Sequence, residues 1–295
     1  MAGVAAQWRR TAELEITSPA NPRIKQLVAL RRRRGREQSD VTLVEGFAEL
    51  TLALAAGAQP QALYYCAELA APNHTALIAQ AESSGAEVIR VSRPVFEKIS
   101  YREGPDGWLA VVPAVPDRLD RLRLSERPLL LACAGLEKPG NLGAILRTAD
   151  AAGIDAVIAA DPVTDWANPN VVRASKGTVF SVAVASASTQ EALAWIGEHG
   201  LTIVAATPEA RQLVTEADLT GPTVIAVGAE QAGLPDEWLK RADVRVRIPM
   251  FGLADSLNVS TSAAIISYEA VRQRLLAGHP PTAPNRPGEA GQVEH

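Results

Sequence analysis

The chain has 295 residues, more than one domain of ordinary size and about right for two. An apolar share of 47% against an aromatic share of 4% requires cores built from Leu, Val, Ile and Ala. A net charge of −4, two cysteines (Cys66 and Cys133) in separate apolar runs, four histidines without ligand spacing and no apolar run near the ~20 residues of a membrane helix exclude a disulfide scaffold, a metal site and a helical membrane protein.

Residues 1–15, opening MAGVAAQWRR, hold no apolar run for a signal peptide and read as a flexible N-terminus; a cytoplasmic protein is expected. From Ile16 the run ITSPANPRIKQLVALRRRR carries two turn signals, Ser18-Pro19 and Asn21-Pro22. Ile24, Leu27, Val28 and Leu30 then sit at helical spacing, which predicts one helix from Pro22 to a stop at Gly35. Arg23, Lys25, Arg31, Arg32, Arg33 and Arg34 occupy its other faces, and Arg36 follows in the same basic stretch. A solvated helix face would look the same, but such clustering in an acidic chain favours a patch that seeks phosphate.

Strands follow at 41–46, 62–66, 87–92 and 108–113, with helices over FAELTLALAAG, TALIAQAESSG and PVFEKIS between them. Residues 16–113 thus read as a first α/β domain, and 114–128, rich in Pro, Asp and Arg, as a linker. A second domain spans 129–278. It opens on the continuous apolar run LLLACAGL, expected as a buried strand, and continues with a helix over NLGAILRTADAAG, a strand over IDAVIAA, a polar-faced helix over NPNVVRASKG and a strand over VFSVAVA. A helix over EALAWIGEHG, strands at 201–207, 223–230 and 244–250, and a long helix over 256–278 complete it. This alternation implies a mainly parallel sheet. The Pro- and Gly-rich residues 279–295 are expected to be disordered.

Three segments of the second domain carry the chemistry. Asn141-Leu142-Gly143 runs on to Arg147-Thr148 directly after a strand; Gly228-Ala229-Glu230 runs on to Gly233-Leu234; Ile248-Pro249-Met250 is followed, after a short loop, by Ser256-Leu257-Asn258-Val259. Each has a plain structural reading: glycines at strand ends make turns, and Ser is a good helix N-cap. In this order and spacing, however, they resemble the signature motifs of the SpoU/TrmH family of RNA ribose 2′-O-methyltransferases, of the SPOUT superfamily. The likeness covers residues 129–275, and ITSPANPRIKQLVALR with the later VEG is similar to the family's N-terminal RNA-binding domain. Within the family the chain looks like actinomycete antibiotic-resistance enzymes that act on large-subunit rRNA. The chain has no Gly-x-Gly-x-x-Gly after a strand and no Gly-x-Ser-x-Gly, against a Rossmann enzyme or a serine hydrolase.

The resemblance implies a ribosomal-protein-like α/β domain followed by a SPOUT domain with a deep trefoil knot, S-adenosylmethionine as cofactor, and a homodimer through the C-terminal domain. The final helix, with Ala263, Ala264, Ile265, Ile266 and Val271, is the expected dimer surface. The implied substrate is a ribose 2′-hydroxyl of 23S rRNA at a uridine, with tRNA or a non-catalytic RNA-binding role as alternatives. Thr207, Gly228, Glu230, Gly233, Leu234, Ile248, Pro249, Met250, Ser256 and Leu257 would hold the cofactor. Arg147, Asn141, Glu230, Ser256 and Asn258 would serve catalysis. A guanidinium with a pKa above ~12 is a poor base, so Arg147 is expected to bind the phosphate flanking the target ribose, and Glu230 to pair with it or brace the knot. Arg23, Lys25, Arg31, Arg32, Arg33, Arg34, Arg173 and Lys176 are the expected RNA contacts.

Overall fold

The computed structural model describes residues 14–280, which fall into two units. The first runs to Ala114 and also takes Ala167–Phe180; the second comprises Val115–Trp166 and the chain from Ser181 onward.

The first unit contains β1 (Leu14–Ile16), α1 (Pro22–Ala29), α2 (Arg33–Ser39), β2 (Val41–Glu45), α3 (Phe47–Ala55), β3 (Ala62–Tyr65), α4 (Ala76–Ser83), β4 (Glu87–Val91), α5 (Arg93–Ile99), β5 (Trp108–Pro113) and, from the later segment, α7 (Pro169–Ala174). Its sheet has the order β1-β4-β3-β5-β2. β1 and β3 run parallel to β4, whereas β5 is antiparallel to β3 and β2. Ile24 and Leu27 of α1 and Val95, Phe96 and Ile99 of α5 bury their apolar stripes against Leu43, Tyr64, Ile89 and Leu109 of the sheet. The later segment is tied in by polar contacts as well. Thr42 donates its hydroxyl to the Ala167 carbonyl at 2.6 Å, and at Gly177, with φ of +88°, a Cβ would lie 2.7 Å from the Glu49 carbonyl oxygen.

Two expectations for this unit are corrected. Leu14–Ile16 is an edge strand and not part of a loose terminus; residues 1–13 lie outside the described ones. The single helix from Pro22 to Gly35 is two helices, and Gly35 lies inside the second. A Cβ at Gly35 would meet the Ala29 carbonyl oxygen at 2.5 Å, so this glycine permits the corner instead of ending a helix. Arg36, only 3% exposed, fills that corner and donates to the carbonyls of Leu30 at 3.2 Å and Arg31 at 2.9 Å, which the end of α1 leaves without helical partners.

The second unit contains β6 (Leu129–Ala134), α6 (Pro139–Ala152), β7 (Ala156–Ala160), β8 (Ala183–Ala187), α8 (Thr189–Glu198), β9 (Thr202–Ala206), β10 (Gln212–Leu213), β11 (Thr223–Val227), α9 (Asp236–Arg241), β12 (Val244–Arg247) and α10 (Val259–Leu276). Its sheet, ordered β10-β12-β9-β11-β6-β7-β8, is parallel throughout. The central strands are buried on both faces, as their unbroken apolar runs require. On one face Leu130, Ala132, Ile158, Ile203 and Val224 pack against Ala192 and Ile196 of α8 and Trp238 of α9, whose Nε1 donates to Thr189 Oγ1 at 3.1 Å.

Four expectations are adjusted here. The segment 114–128 is no free linker: Leu122 is 8% exposed in this unit's core, and the Asp117 carbonyl accepts from Ser186 N of β8 at 2.7 Å. The strand over VFSVAVA begins only at Ala183, after a 3₁₀ turn at Thr178–Phe180. Residues 167–180 group with the first unit, so Arg173 and Lys176 stand there. β10 and α9 are elements the sequence pattern does not announce.

At the opposite end of the strands α10 is anchored by Arg274, 4% exposed. It donates to the carbonyls of Leu219 at 3.1 Å, Arg127 at 2.7 Å, Pro128 at 3.1 Å and Gly221 at 2.6 Å. No helix among the described residues is long and apolar enough to cross a membrane.

Candidate active site

Because every strand of the second sheet points the same way, the loops after β6, β9, β11 and β12 emerge on one edge, where open α/β sheets place their ligands. A cleft lies there, walled by Thr207 after β9, Val227 at the end of β11 with Gly228 to Glu230 and Gly233 after it, Arg247 at the end of β12 with Ile248 and Met250 after it, Asp255 to Leu257, and Val259, Ser262 and Ile266 of α10. The segment after β11 doubles back, with Gly233 N donating to the Ala229 carbonyl at 2.8 Å. At Gly228 a Cβ would collide with the backbone of Gly233 and Leu234. Only glycine lets the chain fold this closely, and backbone amides and carbonyls, not side chains, then border the cleft.

Glu230 gathers the polar groups. Its Oε1 accepts from Asn141 Nδ2 at 2.9 Å and from Asn258 Nδ2 at 2.7 Å, and Lys138 donates to its Oε2. Asn258 Nδ2 also reaches Asn141 Oδ1 at 3.2 Å. The Lys138 ammonium, followed by the Asn141 amide, holds the Glu230 carboxyl below the usual carboxylate range. Asn258 is engaged at both ends of its amide, because its Oδ1 caps α10 by accepting from Ser260 N at 3.0 Å. The cap is therefore Asn258 and not Ser256, which lines the cleft.

Of the expected cofactor residues, Thr207, Gly228, Glu230, Gly233, Ile248, Met250, Ser256 and Leu257 line this cleft. Leu234 does not: it is 7% exposed within the core cluster that includes Trp238. Pro249 lies between two lining residues without lining the cleft itself. Of the residues expected for catalysis, Asn141, Glu230 and Asn258 form one hydrogen-bonded group. Arg147 stands apart from it. Six residues along α6 from Asn141, it is displaced by about 9 Å along the axis and about 120° around it. It is exposed, with no hydrogen bond or ion pair among the described residues, and Glu230 is paired with Lys138 instead. Lys138 is the functional candidate that sequence reasoning passed over. Its only signal is a position just before Pro139, at the start of a helix that carries a motif.

The basic residues of the first unit divide. Arg23 is paired with Glu87 at 2.8 Å and Arg33 with Glu37 at 2.7 Å, while Arg31 donates to the carbonyls of Lys98 at 2.7 Å and of Ser100. Lys25, Arg32 and Arg34 are exposed and make no such contact among the described residues; Arg173 and Lys176 are exposed too.

Comparison with known proteins bears on this geometry. Residues 128–268 match the SpoU rRNA Methylase family, and residues 21–110 match an MRM3-like substrate binding domain. A 23S rRNA (uridine(2479)-2′-O)-methyltransferase of Streptomyces viridochromogenes is 37% identical over 188 residues, 62% of this chain and 65% of that protein. A crystal structure of an RNA 2′-O ribose methyltransferase is 45% identical, with a TM-score of 0.79 over 89% of this chain and 100% of the other. The structure of the SpoU methyltransferase AviRb from Streptomyces viridochromogenes in complex with AdoMet is 32% identical, with a TM-score of 0.78 over 87% of this chain and 100% of that one.

Proposed function

The chain belongs to the SpoU rRNA Methylase family and is an S-adenosylmethionine-dependent RNA ribose 2′-O-methyltransferase, and on that premise we propose that its substrate is 23S rRNA, at a uridine. The observation that supports the site reading is the convergence of residues 138–141, 228–233 and 248–258, distant in sequence, on the cleft edge at Glu230.

The cleft suits S-adenosylmethionine by the chemistry of its wall. Val227, Ile248, Met250 and Leu257 give it apolar sides, and the folded-back backbone of Gly228 to Gly233 supplies amides and carbonyls at close range. When bound, that cofactor supplies an electrophilic methyl group. In this reading Thr207, Gly228, Gly233, Ile248, Met250, Ser256 and Leu257 hold it. Asn141, Glu230 and Asn258 form a rigid polar rim that orients the incoming ribose, and positioning of this kind lowers barriers substantially. Arg147, with its guanidinium free, binds the phosphate beside the target ribose and leaves the hydroxyl proton to a phosphate oxygen or water. Lys25, Arg32, Arg34, Arg173 and Lys176 contact more distant RNA.

The protein acts as a homodimer in this proposal, through α10. Ala263 and Ile266, expected at the dimer surface, are fully buried within the unit. The surface keeps Ile265 of the expected set, in an exposed stripe with Tyr268, Leu275 and Leu276. A protective role against a ribosome-targeting antibiotic goes with the uridine target.

The deciding experiment incubates the protein with labelled methyl donor and, separately, purified rRNA and tRNA. Alkaline cleavage then reads the product, since a 2′-O-methyl blocks attack at its own phosphodiester. A single protected uridine in 23S rRNA is expected. Label on tRNA moves the substrate assignment, and label on a base atom removes ribose methylation altogether.

A further inference from the structure

Lys138 belongs to none of the three motifs, yet its ammonium closes one side of the polar group around Glu230. It stands on a second cleft lined by Leu136, Glu137, Asn141 and Ala229 to Ala232, which shares Ala229 and Glu230 with the cofactor cleft. The lysine is 69% exposed and, as the residue before the first turn of α6, makes no side-chain cap bond. Neither the core nor the helix start depends on its side chain.

We propose that Lys138 is a positioning residue of the methyl-transfer site: by occupying Glu230 Oε2 it keeps Oε1 free to orient the amides of Asn141 and Asn258. This rests on reading the cleft as the site of methyl transfer. Oε1 takes two amide donors and Oε2 takes the ammonium, a division of labour that demands a carboxylate and not a carboxylic acid. With Lys138 gone, Oε2 is bare and becomes the oxygen that takes a proton. Oε1 is then the oxygen of a neutral acid, a weaker acceptor for the two amides than a carboxylate oxygen, and the rim that faces the ribose loosens. The other charged side chains on the two clefts are Glu137, Arg247 and Asp255; among the charged groups of the described residues only Lys138 acts on the Glu230 ionisation. Its loss therefore has no electrostatic replacement.

The test uses the full chain, selectively ¹³C-labelled at glutamate side chains, with Glu230→Gln assigning the signal. The Glu230 titration midpoint and the pH profile of kcat for methyl transfer are measured in the wild type, Lys138→Met and Lys138→Arg. In Lys138→Met the midpoint and the acid limb of kcat both move up by roughly one pH unit, so that kcat falls roughly tenfold at a pH below both midpoints and little at neutral pH, while KM for the methyl donor stays within about twofold. Lys138→Arg restores wild-type behaviour, because any cation at Oε2 suffices. A Lys138→Met midpoint equal to the wild type, or a shifted midpoint with an unchanged kcat profile, overturns the proposal. So does a Lys138→Arg protein as impaired as Lys138→Met. Should the midpoint move but wild type methylate no RNA, the grip on Glu230 stands and the methyl-transfer reading falls.

Discussion

At the cleft Asn258 is engaged through opposite ends of one amide, Oδ1 capping α10 and Nδ2 donating to Glu230. Asn258→Ala loses the cap of α10, costing about 1 kcal/mol, and loses the bond to Glu230 as well. Asn258→Ser keeps a capping oxygen but has no second arm, so it should melt within a few degrees of the wild type while kcat falls; thermal unfolding beside turnover separates the two roles. Glu230 titrates below the usual range because its folded state favours the anion. Activity that needs the anion is thus complete above the ordinary carboxylate range and is lost only as pH falls through the lowered value. Glu230→Gln, with no such titration, should show a low kcat with no acid limb, readable in a pH–rate profile. For Arg147, substitution by Lys keeps charge but not the planar fork. A loss of about tenfold or more in kcat/KM for RNA, with donor affinity unchanged by calorimetry, is expected if the fork grips a phosphate.

Among the elements, Arg274 shows how one side chain fastens a helix. Arg274→Leu removes a donor from the carbonyls of Leu219, Arg127, Pro128 and Gly221 at the start of the central strands, of which Pro128 and Gly221 keep a bond from Thr223. Urea unfolding should register a loss of about 3 kcal/mol, in the range for breaking a buried hydrogen-bonded charge. Elements of this kind were unequally legible. β6, β7 and β11 announce themselves because a strand buried on both faces has to be apolar without interruption. The break between α1 and α2 does not, since Leu30 continues the apolar spacing, and what decides the corner is how closely Gly35 approaches Ala29 across space. β1 spans three residues and owes its existence to its parallel partner β4, which no local pattern records. At the site, the motif glycines and amides were readable because their type is dictated by backbone approach and hydrogen bonding. Leu234 was expected on the cleft wall, and Lys138 was passed over, for the complementary reason. An apolar residue inside a motif reads alike whether it faces a ligand or a core, and an exposed lysine outside one reads as solvated.

For the molecule as a whole, two measurements bear on the proposed assembly. Ile265→Asp with Tyr268→Asp should turn a dimer into a monomer in analytical ultracentrifugation, since the stripe they charge faces solvent in the isolated chain. RNA affinity should fall steeply with salt, and removing Lys25, Arg32 and Arg34 together should lower the slope of log K against log salt by roughly 2 to 3. The excursion of residues 167–180 has its own consequence for how the protein is made. The chain leaves β7, completes the first unit with α7, and only then begins β8. During synthesis the first unit therefore waits, with the Thr42 hydroxyl lacking its acceptor, until more than fifty residues of the second have been translated. A fragment cut at Ala114 would inherit the same gap permanently, whereas one with 167–180 spliced back onto it would close it.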